Sequence, residues 1–98
     1  MEIIKNQNGT ELDIELVGRL DTTTAPELDK ELTPALDGIT KLVFDFTKLE
    51  YISSAGLRVL LAAQKTMNKQ GEMILTNVND DVKEVFEITG FVDILTIE

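Results

Sequence analysis

The amino-acid sequence predicts one α/β domain, with a mostly parallel sheet, an N-terminal β-hairpin and helices packed against that sheet. The chain has 98 residues, which suffice for one hydrophobic core but not for two. Segments in which apolar and polar residues alternate are interleaved with segments of helical periodicity. Strands that alternate with helices in this way are typical of parallel sheets with right-handed crossovers.

The first two predicted strands form the hairpin. Ile3 and Ile4 precede turn-forming residues at positions 6–10, and a strict apolar–polar alternation follows over residues 12–16. We expect the second strand to end at Val17 or Gly18.

The first helix is predicted to begin after Thr24. This residue is a suitable N-cap, Pro26 lies in the first turn, and Glu27 would complete a capping box. Pro34 removes one backbone hydrogen bond, so the helix should tighten there and end by Gly38.

The rest of the chain continues the alternation of strands and helices. The predicted elements are a strand over residues 40–46, a helix that follows residues 51–56 and ends at Gly71, a strand over residues 73–75, a helix between Asn79 and Gly90, and an apolar stretch over residues 91–97 that forms a strand or a closing turn. The stripe of Leu57, Leu60 and Leu61 at helical spacing indicates core packing.

The composition excludes most enzyme chemistry. The sequence contains no cysteine and no histidine, so it offers no disulfide, no thiol nucleophile, no Cys-ligated metal and no Ser-His-Asp triad. We therefore expect no catalytic residues, no metal site and no cofactor.

The charge balance limits the classes of partner. The sequence has nine Lys and Arg residues and 18 Asp and Glu residues, so its net charge is −9. Nucleic acids and anionic membranes would repel this chain, and a protein partner is expected instead. The sequence has no apolar run long enough to span a membrane and no signal-peptide pattern, so we expect a cytoplasmic protein.

Two loops, residues 18–24 and 51–57, are predicted to lie at the carboxyl ends of parallel strands, where function gathers in α/β sheets. In the second loop, Ser53 and Ser54 precede a helix. Either hydroxyl could simply cap that helix. Alternatively, one serine is a phosphoacceptor, because a phosphate adds about −1.5 to −2 charge beside a helix N-terminus that tolerates anions.

The sequence suggests roles for four charged residues near these loops and leaves alternatives for some of them. Asp21 either accepts hydrogen bonds from its own turn or docks a partner, whereas Asp45 is predicted to bond loop amides. Arg19 and Arg58 are either solvated charges or cations that meet acidic groups or a phosphate. A Mg²⁺ enzyme that uses Asp21 and Asp45 and a nucleotide sensor are weaker alternatives, because the sequence has no phosphate-binding glycine loop.

Four segments, residues 18–28, 42–46, 49–57 and 85–91, together resemble the STAS domain, a family named for sulfate transporters and anti-sigma factor antagonists. The resemblance covers residues 1–98 as one STAS domain. It implies a stand-alone bacterial anti-sigma factor antagonist that binds an anti-sigma factor serine kinase while unphosphorylated. Phosphorylation would release the kinase, and a metal-dependent serine phosphatase would reset the switch.

The resemblance places the phosphoacceptor at Ser54, two residues before the Gly-Leu pair that opens the helix. This sequence has Ser53 where the family often has Asp, and Ala55 where it has Ser or Thr, so Ser53 is a second candidate acceptor. The implied partner-binding residues are Asp21, Thr22, Thr23, Ser53, Ala55, Gly56 and Arg58. The alternative function is that of a STAS interaction subunit in another signalling assembly or a transporter.

Overall fold

Five strands and three α-helices alternate along the chain in the computed structural model, which describes residues 1–98. The elements are β1 (Glu2–Asn8), β2 (Glu11–Leu20), α1 (Ala25–Ala35), β3 (Lys41–Asp45), β4 (Leu49–Ile52), α2 (Ser54–Gln70), β5 (Glu72–Thr76) and α3 (Asp80–Thr89), followed by a 3-10 helix at Phe91–Asp93.

The sheet has the strand order β1-β2-β3-β5, and β4 joins it by pairing with β2. Only the β1–β2 hairpin is antiparallel, and the other three pairings are parallel. The amino-terminal half of β2 pairs with β3, whereas its last three residues pair with β4. The predicted hairpin and the mostly parallel sheet are therefore confirmed.

The core lies between one face of the sheet and the helices. Every second residue of the central strands is buried, as Ile14, Phe44 and Leu75 illustrate, while their neighbours in sequence are only half-buried. This alternation is expected for a sheet that has helices on one face and none on the other. In α2, Leu57 and Leu60 are buried as predicted, whereas Leu61 is half-buried.

The helix ends follow local sequence chemistry. The Asn79 side chain accepts a hydrogen bond from the backbone N–H of Val82 at 2.8 Å, so α3 begins where the sequence predicts. It ends at Gly90, whose φ of 81° is a left-handed conformation that glycine adopts without strain. Pro34 lies in the last turn of α1, which ends at Ala35, before Gly38 as expected.

Two predictions about the strands are wrong. The second strand does not stop at Gly18: it continues to Leu20 and pairs with β4, with a register shift between Gly18 and Arg19 at which β4 carries one extra residue, Glu50. Residues 49–52, for which the sequence predicted no strand, form β4. The last apolar stretch, predicted as a strand or a closing turn, forms the 3-10 helix and then a single parallel bridge from Ile97 to Leu75 of β5, which is the second of those alternatives.

None of the helices is both long and apolar enough to cross a membrane.

Candidate functional site

The two loops singled out in the sequence meet because β2 and β4 run side by side. Arg19 pairs with Tyr51 and Leu20 with Ile52 in parallel register, so both chains leave the sheet at the same edge. The backbone N–H of Ser53 donates to the carbonyl of Leu20 at 2.9 Å, which ties the loops together just beyond the strands. Residues 18–24 and 51–57 thus lie at the carboxyl ends of parallel strands as predicted, although residues 18–20 and 51–52 belong to the strands and not to loops.

Ser53 is the N-cap of α2. Its backbone is extended, with φ −101° and ψ 176°, and its hydroxyl oxygen accepts a hydrogen bond from the N–H of Gly56 at 3.4 Å. Its carbonyl accepts the first helical hydrogen bond, from Leu57, at 3.0 Å. The half-buried side chain of Ser53 is thus used in holding the start of the helix.

Ser54 is the first residue of α2, and it is exposed. No hydrogen bond within the protein engages its hydroxyl, whereas its carbonyl accepts a long hydrogen bond of 3.4 Å from Nε of Arg58, one helical turn further on. The hydroxyl is therefore free in the first turn of the helix, where the unpaired backbone N–H groups favour an anion.

Gly56 does not belong to the surface, contrary to the predicted set of partner-binding residues. It is buried, and a Cβ at this position would stand 2.7 Å from Cγ of Leu20 and 2.9 Å from Cγ1 of Ile52. Both distances are far below van der Waals contact. The absence of a side chain at Gly56 lets the start of α2 lie directly against the ends of β2 and β4.

The Asp21 carboxylate orders the neighbouring loop. Its Oδ1 accepts hydrogen bonds from the backbone N–H groups of Thr23 and Thr24 at 3.0 and 3.1 Å. These bonds, led by the one from Thr24, hold the pKa of Asp21 below its usual value, with a small contribution from the charge of Arg19. Asp21 is therefore a turn-forming carboxylate, one of the two roles that the sequence left open.

The predicted capping box at α1 does not form. Thr24 precedes the helix, but its hydroxyl donates to the carbonyl of Arg19 at 2.8 Å and accepts from the N–H of Asp21 at 2.9 Å. The hydroxyl is thus turned back toward the loop. The N–H of Glu27, from which a capping hydroxyl would accept a hydrogen bond, donates instead to the Thr24 carbonyl at 3.0 Å, and Asp21 accepts the hydrogen bond from the N–H of Thr24 that the Glu27 side chain would accept in a capping box.

Two arginines lie in or next to the paired segments, and only Arg58 contacts Ser54. Arg19 lies 4.3 Å from the ring centre of Tyr51, and its Nε is 3.9 Å from Oδ2 of Asp21. Arg58 projects back over the first turn of α2 and has no carboxylate within 4.0 Å. The chain contains no other arginine, so both of its phosphate-preferring cations lie at these segments.

A shallow groove runs between the N-terminal ends of α1 and α2. Its lining residues are Thr22, Ala25, Pro26, Asp29, Ala55, Arg58 and Val59. Three of the predicted partner-binding residues, Thr22, Ala55 and Arg58, thus come together, and Thr23 is exposed beside them. The sequence did not single out Asp29 and Val59, although each lies one turn after a small residue that faces the same groove.

Asp45 has a structural role, as predicted. Its Oδ1 accepts hydrogen bonds from the backbone N–H of Thr47 at 2.9 Å, from the Thr47 hydroxyl, and from Nδ2 of Asn77 at 3.0 Å. The bond from the Thr47 hydroxyl is the main reason why the pKa of Asp45 lies below its usual value. The protein has no cluster of three or more carboxylates arranged to hold a metal ion.

Curated relatives of similar length resemble the chain in sequence. It is 42% identical to the Bordetella bronchiseptica protein BtrV, over 84% of this chain and 72% of that protein. It is 35% identical to a Listeria monocytogenes protein over 97% of this chain and 85% of the relative. The first is named as an anti-sigma factor antagonist, and the second as an anti-sigma-B factor antagonist.

Solved structures share the fold. An anti-sigma factor antagonist from Thermotoga maritima superimposes with a TM-score of 0.89 at 19% identity, over 97% of this chain and 84% of that one. Unphosphorylated SpoIIAA superimposes with a TM-score of 0.78 at 18% identity, over 99% of this chain and 87% of that one.

The family model described as STAS domain matches residues 2–98. Anti-sigma factor antagonists are regulatory binding proteins, in agreement with the prediction that this chain is not an enzyme. The sheet topology, the paired loops and the sequence comparison agree, and the chain belongs to the STAS domain family.

Proposed function

We propose that this protein is an anti-sigma factor antagonist that works by phosphorylation-controlled binding in the cytoplasm. While Ser54 is unphosphorylated, the protein binds an anti-sigma factor that is itself a serine kinase, and the sigma factor is set free. Phosphorylation of Ser54 ends this binding, and a metal-dependent serine phosphatase restores it.

The observation that carries the proposal is the different use of the two serines. The Ser53 hydroxyl caps α2 and is half-buried, whereas the Ser54 hydroxyl is exposed and unbonded within the protein. A kinase can reach Ser54 without disturbing the fold. Modification of Ser53 would instead remove the hydrogen bond to the N–H of Gly56.

The electrostatics explain why the phosphorylated protein should remain folded. A phosphate on Ser54 would lie at the positive end of a 17-residue helix, with Arg58 one turn away. SpoIIAA, which shares the fold, has been solved in a phosphorylated and an unphosphorylated form, and both superimpose on this chain with nearly equal TM-scores of 0.77 and 0.78.

The same phosphate would oppose partner binding. We place the docking surface on the groove between α1 and α2, formed by Thr22, Ala55 and Arg58, with Thr23 at its edge. In the unphosphorylated protein Arg58 is available to a carboxylate of the partner. After phosphorylation, Arg58 is drawn to the phosphate and a dianion stands at the rim, so burial of the surface costs several kcal/mol.

The test combines phosphosite mapping with binding measurements. The protein is incubated with ATP and the anti-sigma factor kinase of its own organism, and mass spectrometry locates the phosphate. We expect phosphate on Ser54, including in Ser53→Ala, and none in Ser54→Ala. In calorimetry, Ser54→Asp should bind the kinase at least tenfold more weakly than Ser54→Ala, the matched control.

Two outcomes would contradict the proposal. Phosphate found only on Ser53 or on residues 22–24 would refute the assignment to Ser54. Equal affinity of phosphorylated and unphosphorylated protein for the kinase would refute the switch, and would favour a constitutive STAS interaction subunit.

A further inference from the structure

The sheet has one face that no helix covers. Parallel strands in α/β proteins are normally covered on both faces. Here β2, β3 and β5 are parallel neighbours, yet their outward residues, among them Asp13, Val43 and Ile74, are only half-buried. We call the outward side of β1, β2, β3 and β5 the open face.

The open face concentrates negative charge. The strand registers place six carboxylates on it and two cations: Lys41, whose Nζ lies 4.0 Å from Oε1 of Glu72, and Arg19 at the carboxyl end of β2, which lies over the Tyr51 ring. The six are Glu2, Glu11, Asp13, Glu15, Asp45 and Glu72. Glu15 and Asp45 stand directly opposite each other on adjacent strands, an arrangement of like charges that destabilises a sheet.

Asp13 lies in the middle of this face and is incompletely bonded. Its Oδ1 is screened from solvent and accepts no hydrogen bond within the protein. A screened acceptor without a donor costs free energy, so the Asp13 carboxylate is held on this face without an internal hydrogen bond to Oδ1 that would offset its charge. In the same row of the sheet, Val43 and Ile74 provide an aliphatic strip next to the carboxylate.

The surface is also concave. A depression on the open face is lined by Ile4, Asp13, Glu15 and Val43, among others. Ile4 is 42% exposed, so the depression offers apolar contact at its edge as well as charge at its centre. A ligand that fits must therefore combine cationic and aliphatic groups.

We propose that the open face docks a cationic amphipathic helix of a partner protein. Lysine or arginine side chains of that helix meet Asp13 and Glu15, and its aliphatic side chains cover Val43 and Ile74. A second copy of this chain is disfavoured as the occupant, because it would bring six further carboxylates against the first six. The surface is separate from the Ser54 groove, to which β1, β3 and β5 contribute no residue, so both can be occupied together.

A helical peptide of leucine and lysine, with all its lysines on one side, is a suitable probe for the full-length protein. We expect calorimetry to show binding that weakens as salt is raised, and amide shifts in NMR spectra to concentrate on β1, β2, β3 and β5. The double variant Asp13→Asn, Glu15→Gln should bind the peptide at least tenfold more weakly than the parent.

The matched control is Glu84→Gln, Glu87→Gln, which removes the same charge from exposed positions of α3. It should change the affinity less than twofold. Equal weakening by both double variants would show attraction to net charge alone and would overturn the proposal.

Two further measurements separate peptide docking from unfolding and from self-association. Neutralising Asp13 and Glu15 should raise the melting temperature, because it relieves like-charge repulsion, so weaker binding cannot be attributed to unfolding. Sedimentation of the unliganded protein should show a monomer. A dimer that the Asp13 and Glu15 double variant strengthens would identify a second copy as the occupant and would refute the proposal.

Discussion

Replacement of Gly56 by alanine tests how closely α2 must approach the sheet. The new Cβ would stand 2.7 Å from Cγ of Leu20 and 2.9 Å from Cγ1 of Ile52. These atoms lie near the backbone of fully buried residues, at 0% and 2% exposure, so they cannot swing aside. Overpacking costs about 1–3 kcal/mol, and we expect the upper end of this range.

The higher helix propensity of alanine offsets part of the free energy lost through overpacking. Alanine is favoured over glycine within a helix by about 1 kcal/mol. The net loss in the free energy of unfolding should therefore be about 2 kcal/mol. For a domain of this size, each kcal/mol shifts the melting temperature by about 4–8 °C. Urea titration of Gly56→Ala, followed by circular dichroism, measures the loss directly.

A double variant separates this clash from a general effect of alanine. Leu20→Ala removes the side-chain atoms that the new Cβ would meet, and alone it should cost about 2–5 kcal/mol. In Leu20→Ala, Gly56→Ala the combined loss should fall short of the sum of the single losses by at least about 0.5 kcal/mol. Strict additivity, or a Gly56→Ala variant as stable as the parent, would refute the close approach of α2.

The remaining predictions concern a cap, a turn and acid stability. Ser53→Ala should lose about 1 kcal/mol in urea unfolding, because the N–H of Gly56 loses its acceptor; an unchanged stability would deny Ser53 the capping role. Gly71→Ala should fail to fold or melt far below the parent in calorimetry, because a Cβ at this position would overlap the carbonyl of Thr40, and normal melting would contradict that contact. The pKa of Asp45 lies below the usual 3.8, so its ionised carboxylate stabilises the folded state above about pH 4, and this contribution is lost as the pH falls through the folded-state pKa. Stability measured from pH 6 to pH 2 should therefore fall less steeply in Asp45→Asn, and an identical slope would show that the carboxylate has no such role.

Local sequence signals predicted the elements whose ends are determined by their own residues. Asn79 and Gly90 delimit α3 because capping and left-handed backbone are properties of single residue types. By contrast, β4 has four residues, of which only Leu49 and Ile52 are buried, and a spacing of three residues is typical of a helix and not of a strand. It is a strand because β2 lies beside it, which no short segment of sequence reveals.

The site shows the same division. The family resemblance implied Ser54 as the phosphoacceptor and left Ser53 as a second candidate; the structure adds that the two hydroxyls differ, because only that of Ser53 accepts a hydrogen bond, from the N–H of Gly56. The burial of Gly56 itself depends on Leu20, which is distant in sequence and adjacent in space. Because this contact joins residues distant in sequence, the sequence did not reveal that Gly56 is buried beneath the surface to which Ala55 and Arg58 belong.

The shared use of β2 by three other strands has a consequence for the order of folding. Its hairpin with β1 joins neighbours in the chain and can form early, whereas β3 and β4 pair with it only after about thirty further residues. During synthesis, the β1–β2 hairpin can therefore form before β3 and β4, its parallel partners, have been made. The groove beside Ser54 needs both the loop after β2 and the later start of α2, so it cannot be complete before Val59 has been added, and a shorter chain cannot display it to a partner.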